Sequence, residues 1–260
     1  MDGRVSISEL EKVYGEGAER TKAIEDLTFE VDGGEFASVV GPSGCGKSTL
    51  LYLIAGFLDV TSGTISVDGN PIQGPGTDRG VVFQNYALFP WRTVFENVTY
   101  GLEEDGVPKE ERQSIAQQYI DMVDLSGFEE KYPKELSGGM KQRVALARTL
   151  AYEPKILLMD EPFGALDQPL RESLQDQLLD IWGDLEKTVV FITHDVEEAV
   201  YLSERVMIMT RHPGTKKTVS EINLDRSGSR EEIVTSDAFA DYKNTVWKSL
   251  HEETQTEVTL

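Results

Sequence analysis

A glycine-rich loop between a predicted strand and a predicted helix constrains this chain more than any other feature of its sequence. Residues 41–49 read Gly-Pro-Ser-Gly-Cys-Gly-Lys-Ser-Thr, a glycine separated by four residues from Gly-Lys-Ser. The apolar run Phe36 to Val40 precedes the loop, and Ser48 to Leu58 follows it with a helical pattern. Amides of such a loop and the positive end of the helix surround a phosphate group. We call residues 41–49 the phosphate loop; the alternative, a turn without a ligand, is disfavoured by this setting.

The phosphate loop predicts the binding of a nucleoside triphosphate, ATP, together with Mg²⁺. Lys47 is expected to reach the β- and γ-phosphates, and the Ser48 hydroxyl to hold Mg²⁺. Cys45 is either a reactive thiol, since a helix start can lower its pKa, or a small packing residue. The loop residues expected to contact the nucleotide are Gly41, Ser43, Gly44, Cys45, Gly46, Lys47, Ser48 and Thr49.

Short β-branched runs alternate with helical patterns along the chain, which predicts an α/β fold with a largely parallel sheet. Val5 to Tyr14, Ala23 to Val31 and Gly63 to Val67 read as shorter strands of an antiparallel layer. The expected architecture is a P-loop NTPase core with a mixed central sheet, an antiparallel β layer and an inserted helical subdomain.

The same patterns predict a single domain, residues 1–260, with internal divisions. The nucleotide-binding core is expected to contain residues 1–84 and 151–225, with residues 85–150 as the helical subdomain. Residues 226–260 are expected to form a C-terminal helical tail, anchored by Val246 and Trp247.

Two adjacent carboxylates end the apolar run Ile156 to Met159. At the carboxyl edge of a parallel sheet, Asp160 could enter the coordination shell of magnesium, and Glu161 could polarise an attacking water. The alternative is a pair of solvated acids at a strand end, which is common in an acidic protein.

Acidic residues dominate the surface chemistry expected of this chain. Asp and Glu number 46 against 25 Lys and Arg, a formal net charge of −21. Such a field repels nucleic acid and anionic lipid, so neither is an expected partner. The acids are spread along the chain, which favours a surface adapted to concentrated salt; an ordinary acidic protein is the alternative.

Cysteine usage and hydropathy predict the compartment. Cys45 is the one cysteine, and no charged-then-apolar leader follows Met1, so a reducing, cytoplasmic setting is expected. The longest apolar runs fall far short of the roughly 20 residues that cross a bilayer. Any attachment to a membrane would then go through protein.

Residues 136–143, Leu-Ser-Gly-Gly-Met-Lys-Gln-Arg, resemble the signature motif of the ABC ATPase family. Ser137 is a favourable N-cap, and glycines at 138 and 139 are poor helix formers unless an anion must approach their amides. A capped helix with a glycine turn is the structural alternative. We call residues 136–143 the signature segment.

Other motifs of that family follow in the family's order between Val5 and Met209. Gln84, after the run Val81 to Phe83, resembles the glutamine that contacts magnesium and couples to a transmembrane partner. Asp167, in Ala-Leu-Asp, resembles the D-loop residue at a dimer contact, and His194 resembles the switch histidine at the γ-phosphate. Tyr14 is similar to the aromatic residue that stacks on adenine. Taken singly, Gln84 could be a surface glutamine, His194 a structural histidine and Tyr14 a packing aromatic.

The resemblance implies a head-to-tail pair of chains. ATP on the phosphate loop of one chain would be capped by Ser137, Gly138 and Gly139 of a second copy, with Glu161 as the catalytic base. It further implies integral membrane permease subunits and, indirectly, a solute-binding protein, which places the chain peripherally on the cytoplasmic face of the cell membrane.

The stretch Phe89 to Val98 and the short C-terminal region resemble the ATP-binding subunits of nitrate, sulfonate and taurine importers. Within that stretch, Trp91 is either an aromatic anchor for the permease or a core tryptophan. Two rival functions share many of these motifs: a soluble ABC ATPase that acts on nucleoprotein or metal-cluster assembly, and a regulatory module that closes on ATP without hydrolysing it.

Overall fold

The computed structural model describes residues 2–255. The strands in chain order are β1 Val5–Tyr14, β2 Thr21–Val31, β3 Phe36–Val40, β4 Ser62–Val67, β5 Asn70–Pro71, β6 Arg79–Val82, β7 Ile156–Asp160, β8 Thr188–Ile192, β9 Arg205–Met209 and β10 Lys216–Glu221. The α-helices are α1 Lys47–Ile54, α2 Val94–Glu104, α3 Lys109–Met122, α4 Gly138–Leu150, α5 Gln168–Leu185, α6 Val196–Leu202, α7 Arg230–Val234 and α8 Asp237–Gln255.

Runs of apolar, often β-branched residues form the most buried strands. Every residue of β3, β7 and β8 is buried, as expected for strands covered on both faces. The bounds predicted for β1 and β3 agree with the structure, and the other predicted strands differ by one or two residues at their ends.

Helix α1 is shorter than predicted. It ends at Ile54, four residues before the expected Leu58, because Gly56 adopts a left-handed backbone with φ +76°. A Cβ at Gly56 would lie 2.1 Å from the carbonyl oxygen of Gly74, so only glycine fits this close approach. The pattern Ala55-Gly56 is a common helix stop that the apolar periodicity of Phe57 and Leu58 concealed.

One compact unit comprises residues up to Gly76 and from Glu186 onward. Its antiparallel sheet has the order β2-β1-β4-β5. In its second sheet, β3 pairs in parallel with β8 on one side and with β9 on the other, and β10 pairs antiparallel with β9. These two sheets are the predicted antiparallel layer and a mixed sheet around the strand that leads into the phosphate loop.

The second compact unit is Thr77–Leu185. Strands β6 and β7 form a parallel pair, and α2, α3 and α4 pack on one another between them in sequence. Helix α2 begins with a capping box, in which Thr93 and Glu96 satisfy each other's backbone amides. The α/β class and the helical insertion are therefore confirmed, while the finer division into core, subdomain and tail stays a prediction.

None of the helices in residues 2–255 has the length and hydropathy of a membrane-spanning segment. In the tail, Val246 is fully buried as predicted, but Trp247 is not an anchor. Neighbouring helical positions point in different directions, and Trp247 lies at the surface, stacked on His251 at a centroid distance of 3.7 Å.

Candidate functional site

The phosphate loop follows β3 directly and leads into the first turn of α1. Gly46 immediately precedes α1 with φ +100°, a left-handed conformation. A Cβ at this position would lie 3.0 Å from the carbonyl oxygen of Ala23 on β2. Backbone conformation and close packing therefore both require glycine at this position.

Lys47 is folded back on the phosphate loop. Its side-chain nitrogen Nζ donates to the carbonyl oxygens of Gly41 at 2.9 Å and Pro42 at 3.2 Å, and only 6% of the residue is exposed. These carbonyls hold a buried ammonium at the loop, where phosphate oxygens can take over as acceptors.

Cys45 fills the inside of the same loop. Its thiol is fully buried, and burial raises its pKa, although the nearby charge of Lys47 acts in the opposite direction. A buried neutral thiol is a poor nucleophile, so the structure favours the packing role over the reactive one.

Tyr14 stands beside the start of α1. It is the last residue of β1, it is 39% exposed, and its hydroxyl lies 3.3 Å from Oγ1 of Thr49. Lys12 Nζ lies 5.2 Å from the centre of the Tyr14 ring. An exposed aromatic ring next to a phosphate-binding helix is suited to stacking on a nucleotide base.

His194 leaves the sheet at the same edge as the phosphate loop. Val39 and Ile192 are partners in the parallel β3–β8 pair, and the amide of Thr193 donates to Val39 O at 3.3 Å. The side chain of Asp195 caps α6 by accepting from the amides of Glu197 and Glu198 at 2.8 and 3.3 Å. The turn that presents His194 is therefore fixed on both sides.

In the second unit, Asp160 is the last residue of β7 and Glu161 directly follows it. Asp160 is buried, whereas Glu161 is partly exposed and has φ +44°. A left-handed conformation is costly for a residue with a side chain and is found at functional sites. Its carbonyl oxygen accepts from the amide of Gly164 at 3.2 Å, closing a tight turn.

Gln84 and Glu161 border the same space. Val82 and Met159 are partners in the parallel β6–β7 pair, so the residues after both strands emerge at one edge. A Cβ on Gly164 would lie 3.6 Å from Gln84 Nε2 and 3.9 Å from Glu161 Oε2. The glutamine and the glutamate that the sequence predicted for metal and water are thus brought together.

Arg148 was not predicted from the sequence. Two residues of the segment after Gln84, Tyr86 and Ala87, have left-handed φ values of +62° and +47°. Nη1 of Arg148, in the last turn of α4, donates to Ala87 O at 2.6 Å, and Nη2 donates to Tyr86 O at 3.0 Å. Burial lowers the pKa of this guanidinium. In a sequence, an arginine near a helix end is typical of a solvent-exposed side chain. The hydrogen bonds of Arg148 to the carbonyls of Tyr86 and Ala87 could therefore not be predicted.

The signature segment begins α4 as predicted. Ser137 is the N-cap, and its hydroxyl accepts from the amide of Met140 at 3.3 Å. A Cβ on Gly138 would lie 3.3 Å from Leu166 Cδ2 and 3.5 Å from the Tyr86 hydroxyl oxygen. Gly138 therefore lies close to Leu166, the neighbour of Asp167, and to Tyr86, two residues after Gln84.

Asp167 caps the start of α5 through its side chain. Its Oδ1 accepts from the amide of Leu170 at 3.2 Å, and its carbonyl accepts from the amide of Arg171 at 2.9 Å. The oxygen donors predicted for magnesium, on Ser48, Gln84 and Asp160, are a hydroxyl, an amide and a carboxylate. That donor chemistry suits Mg²⁺, which binds few protein oxygens and shares the rest of its shell with phosphates and water.

Trp91 projects from the surface of the second unit, so the core alternative is wrong. It is 71% exposed, and its ring lies 5.7 Å from that of Phe89. Buried Asn97 fixes the turn below it by accepting from the amide of Phe89 at 2.9 Å and donating to Thr93 O at 2.8 Å. We call residues 89–93 the Trp91 loop.

Comparisons relate the chain to known proteins. Residues 24–164 match the family described as ABC transporter. An uncharacterized ABC transporter ATP-binding protein of Methanocaldococcus jannaschii is 51% identical over 253 residues, which cover 97% of this chain and 93% of that protein. The nitrate import ATP-binding protein NrtD of Synechocystis sp. is 51% identical over 220 residues, which cover 85% of this chain and 83% of that protein.

A solved structure shares the fold. It is the dimeric structure of a post-hydrolysis state of an ATP-binding cassette bound to ADP and Pi, with a TM-score of 0.74 and 33% sequence identity. The match covers 84% of this chain and 99% of that one.

Proposed function

This chain belongs to the ABC transporter family of ATP-binding proteins, and from that premise we propose that it is the ATP-hydrolysing subunit of an importer. The proposed cargo is nitrate, sulfonate, taurine or a similar small anion. The observation that carries the substrate class is the extensive identity with a relative named for nitrate import. The phosphate loop, Glu161 and His194 supply the residues that a motor requires.

We assign the binding of ATP to the phosphate loop and Tyr14. The ammonium of Lys47 leaves its carbonyl partners for the β- and γ-phosphate oxygens, while the loop amides surround the β-phosphate. The Tyr14 ring stacks on adenine. Mg²⁺, held by Ser48, Gln84 and Asp160, would supply charge neutralisation at the phosphate oxygens.

Hydrolysis is assigned to Glu161, with Gln84 and His194 in support. The Glu161 carboxylate accepts a proton from the attacking water, whose oxygen forms a bond to the γ-phosphorus as the bond to the ADP oxygen breaks. The His194 side chain donates to a γ-phosphate oxygen, and Gln84 orients the water. The left-handed backbone at Glu161 fits a carboxylate held in one direction for this task.

A second copy of the chain completes the proposed site. The first amides of α4 have no partners within the helix, and Ser137, Gly138 and Gly139 offer them to the γ-phosphate of ATP on the other copy. Leu166, the neighbour of Asp167, lies close to the signature segment, because a Cβ on Gly138 would be 3.3 Å from Leu166 Cδ2. Asp167 would then belong to the dimer contact.

The Trp91 loop is proposed to bind the permease at the cytoplasmic face of the membrane. An exposed tryptophan on a rigid turn is the kind of anchor that inserts into a groove of a partner. The solute-binding protein would act through the permease. Nucleic acid is not an expected partner, because the chain carries a net charge of −21.

The acidic surface is also proposed to keep the protein folded and dispersed in concentrated salt. Adjacent acidic residues, such as Glu103-Glu104 and Glu129-Glu130, are spread along the chain. ATPase activity that is retained at low ionic strength and lost in molar salt would refute this part of the proposal.

Purification of the tagged chain from detergent-solubilised membranes tests the transport function. We expect a permease to co-purify, and the reconstituted complex to raise its ATPase rate with nitrate, sulfonate or taurine and the binding protein. Trp91→Ala should lose the permease, whereas Phe128→Ala, which removes another exposed aromatic residue of the same unit, should retain it. Recovery of ribosomes or cluster-assembly proteins, with no membrane protein, would favour the soluble ATPase instead.

A further inference from the structure

Helix α6 directly follows the turn that presents His194, and its far end is held by a residue of the C-terminal region. Arg226 donates from Nε to Tyr201 O at 2.7 Å, and from Nη2 to Ser203 O at 2.5 Å and Val200 O at 3.3 Å. The last carbonyls of a helix lack partners within it and carry the negative end of its dipole. One guanidinium therefore satisfies the carbonyl end of α6.

A second arginine reinforces this contact. The guanidinium of Arg230, at the start of α7, lies 4.1 Å from the centre of the Tyr201 ring. Burial lowers the pKa of Arg226, but a guanidinium keeps its charge in proteins. Arg226 is partly buried. A charged side chain with several hydrogen bonds in such a position is a rigid attachment and is screened by salt less than an exposed one.

The near end of α6 is held by the same region. Lys243 on α8 forms an ion pair with Glu197, which lies in the first turn of α6. Both side chains are substantially exposed, so this contact is weaker than that of Arg226. Helix α6 also packs against β3, where the Ser203 and Ser38 hydroxyls form a hydrogen bond.

We propose that residues 223–255 form a strap that holds α6, and with it the turn bearing His194, in the position that hydrolysis requires, with Arg226 as the positioning residue. This inference rests on the proposed role of His194. Helix α6 has only seven residues, and a helix of that length is not stable by itself. The position of α6 therefore depends on its contacts with other segments, and the strap contacts both of its ends.

The first test measures ATPase kinetics of the purified full-length chain. Arg226→Gln should lower kcat about ten- to a hundredfold, the effect of a reacting group misplaced by about 1 Å, with little change in KM for ATP. Arg226→Lys keeps the charge but not the fork of donors, and should recover part of the rate.

Lys217→Gln is the matched control. Lys217 ties α8 to β10 by donating to Ser249 O at 2.8 Å, and it lies outside the grip on α6. This variant should keep the parental kcat. An equal loss of kcat in Lys217→Gln and Arg226→Gln would overturn the proposal, because loosening α8 anywhere would then suffice.

The second test asks whether Arg226 acts through His194. In a double-mutant cycle, Arg226→Gln should have almost no effect on the single-turnover rate of His194→Ala, since the group it positions is already absent. Additive losses would show that Arg226 acts elsewhere and would overturn the inference.

Nuclear magnetic resonance separates this inference from the ATPase proposal itself. The chain has three histidines, so the ring signals can be assigned by substitution. Arg226→Gln, or Arg226→Lys if the first variant folds poorly, should shift or broaden the His194 signals and leave those of His212 in place. Unchanged His194 signals would contradict the strap whatever the ATPase rate, whereas a clear shift would support it even in a chain without ATPase activity.

Discussion

The phosphate loop and the segments around Gln84 and Glu161 place left-handed backbone on different kinds of residue. In the loop, the left-handed positions are glycines, Gly44 at φ +77° and Gly46 at φ +100°. In the segments around Gln84 and Glu161 they are Tyr86, Ala87 and Glu161, which all carry side chains. A residue with a side chain pays about 1–2 kcal/mol for this conformation, and glycine does not.

Under the proposed roles, this difference separates the residues that bind ATP from those that hydrolyse it. The glycines of the loop adopt the left-handed conformation without steric cost, so the loop stores no strain. The strained segments need external support, which Arg148 gives to Tyr86 and Ala87 through their carbonyl oxygens. We therefore expect substitutions in the loop to change ATP affinity, and substitutions in the strained segments to change the rate of hydrolysis.

The largest effect is expected at Glu161. Glu161→Gln removes the base while keeping the size of the side chain, so kcat should fall about 10²- to 10⁴-fold with ATP affinity nearly unchanged. Steady-state ATPase rates and equilibrium ATP binding measure the two quantities.

Glu153→Gln is the matched control for that change. Glu153 is another glutamate of the second unit with left-handed backbone, at φ +52°, but it follows no strand of the site. Its substitution should leave kcat within about twofold, as surface substitutions do. A normal rate in Glu161→Gln would remove Glu161 from the role of base.

A smaller effect is expected at Lys47, and in affinity. Lys47→Ala removes a charged donor worth about 1.5–3 kcal/mol, so the dissociation constant of ATP should rise roughly 10- to 150-fold in calorimetric titration. Lys12→Ala removes the lysine above Tyr14, outside the phosphate loop, and should change affinity much less. Equal effects of the two substitutions would contradict the assignment of binding to the loop.

The smallest of these effects is expected at Arg148. Arg148→Gln leaves the carbonyls of Tyr86 and Ala87 without their donor, which should lower the free energy of unfolding by about 1–3 kcal/mol. Hydrogen exchange should accelerate in residues 84–92. Arg143→Gln, on the same helix but bonded to Val123 O, is the control and should leave exchange in that segment unchanged. Faster exchange in both variants would mean that any damage to α4 loosens the segment.

The features that could be predicted from the sequence are those that depend on glycine spacing and on runs of apolar residues. The phosphate loop, β1, β3 and the capped start of α4 agree with the structure because each has a local cause. The end of α1 was wrong because Gly56 stops the helix against Gly74, a contact distant in the chain. Trp247 was wrong because hydrophobicity alone does not say which face of α8 it occupies.

Hydrogen bonds from arginine side chains to backbone carbonyls far away in the chain could not be predicted from the sequence. Arg148 and Arg226 donate to backbone carbonyl oxygens. Because every residue has such a carbonyl, the sequence does not indicate which residues these arginines contact. The left-handed backbone of Glu161 could not be predicted either, because glutamate rarely adopts this conformation. Contacts between segments that are distant in the chain must therefore be observed in the three-dimensional structure.

Sedimentation velocity of Glu161→Gln with Mg-ATP tests the central claim, that ATP is enclosed between the phosphate loop of one chain and the signature segment of another. We predict a dimer that holds two molecules of ATP and dissociates to monomers when ADP replaces ATP. A variant that binds Mg-ATP and stays monomeric at every accessible concentration would contradict the account.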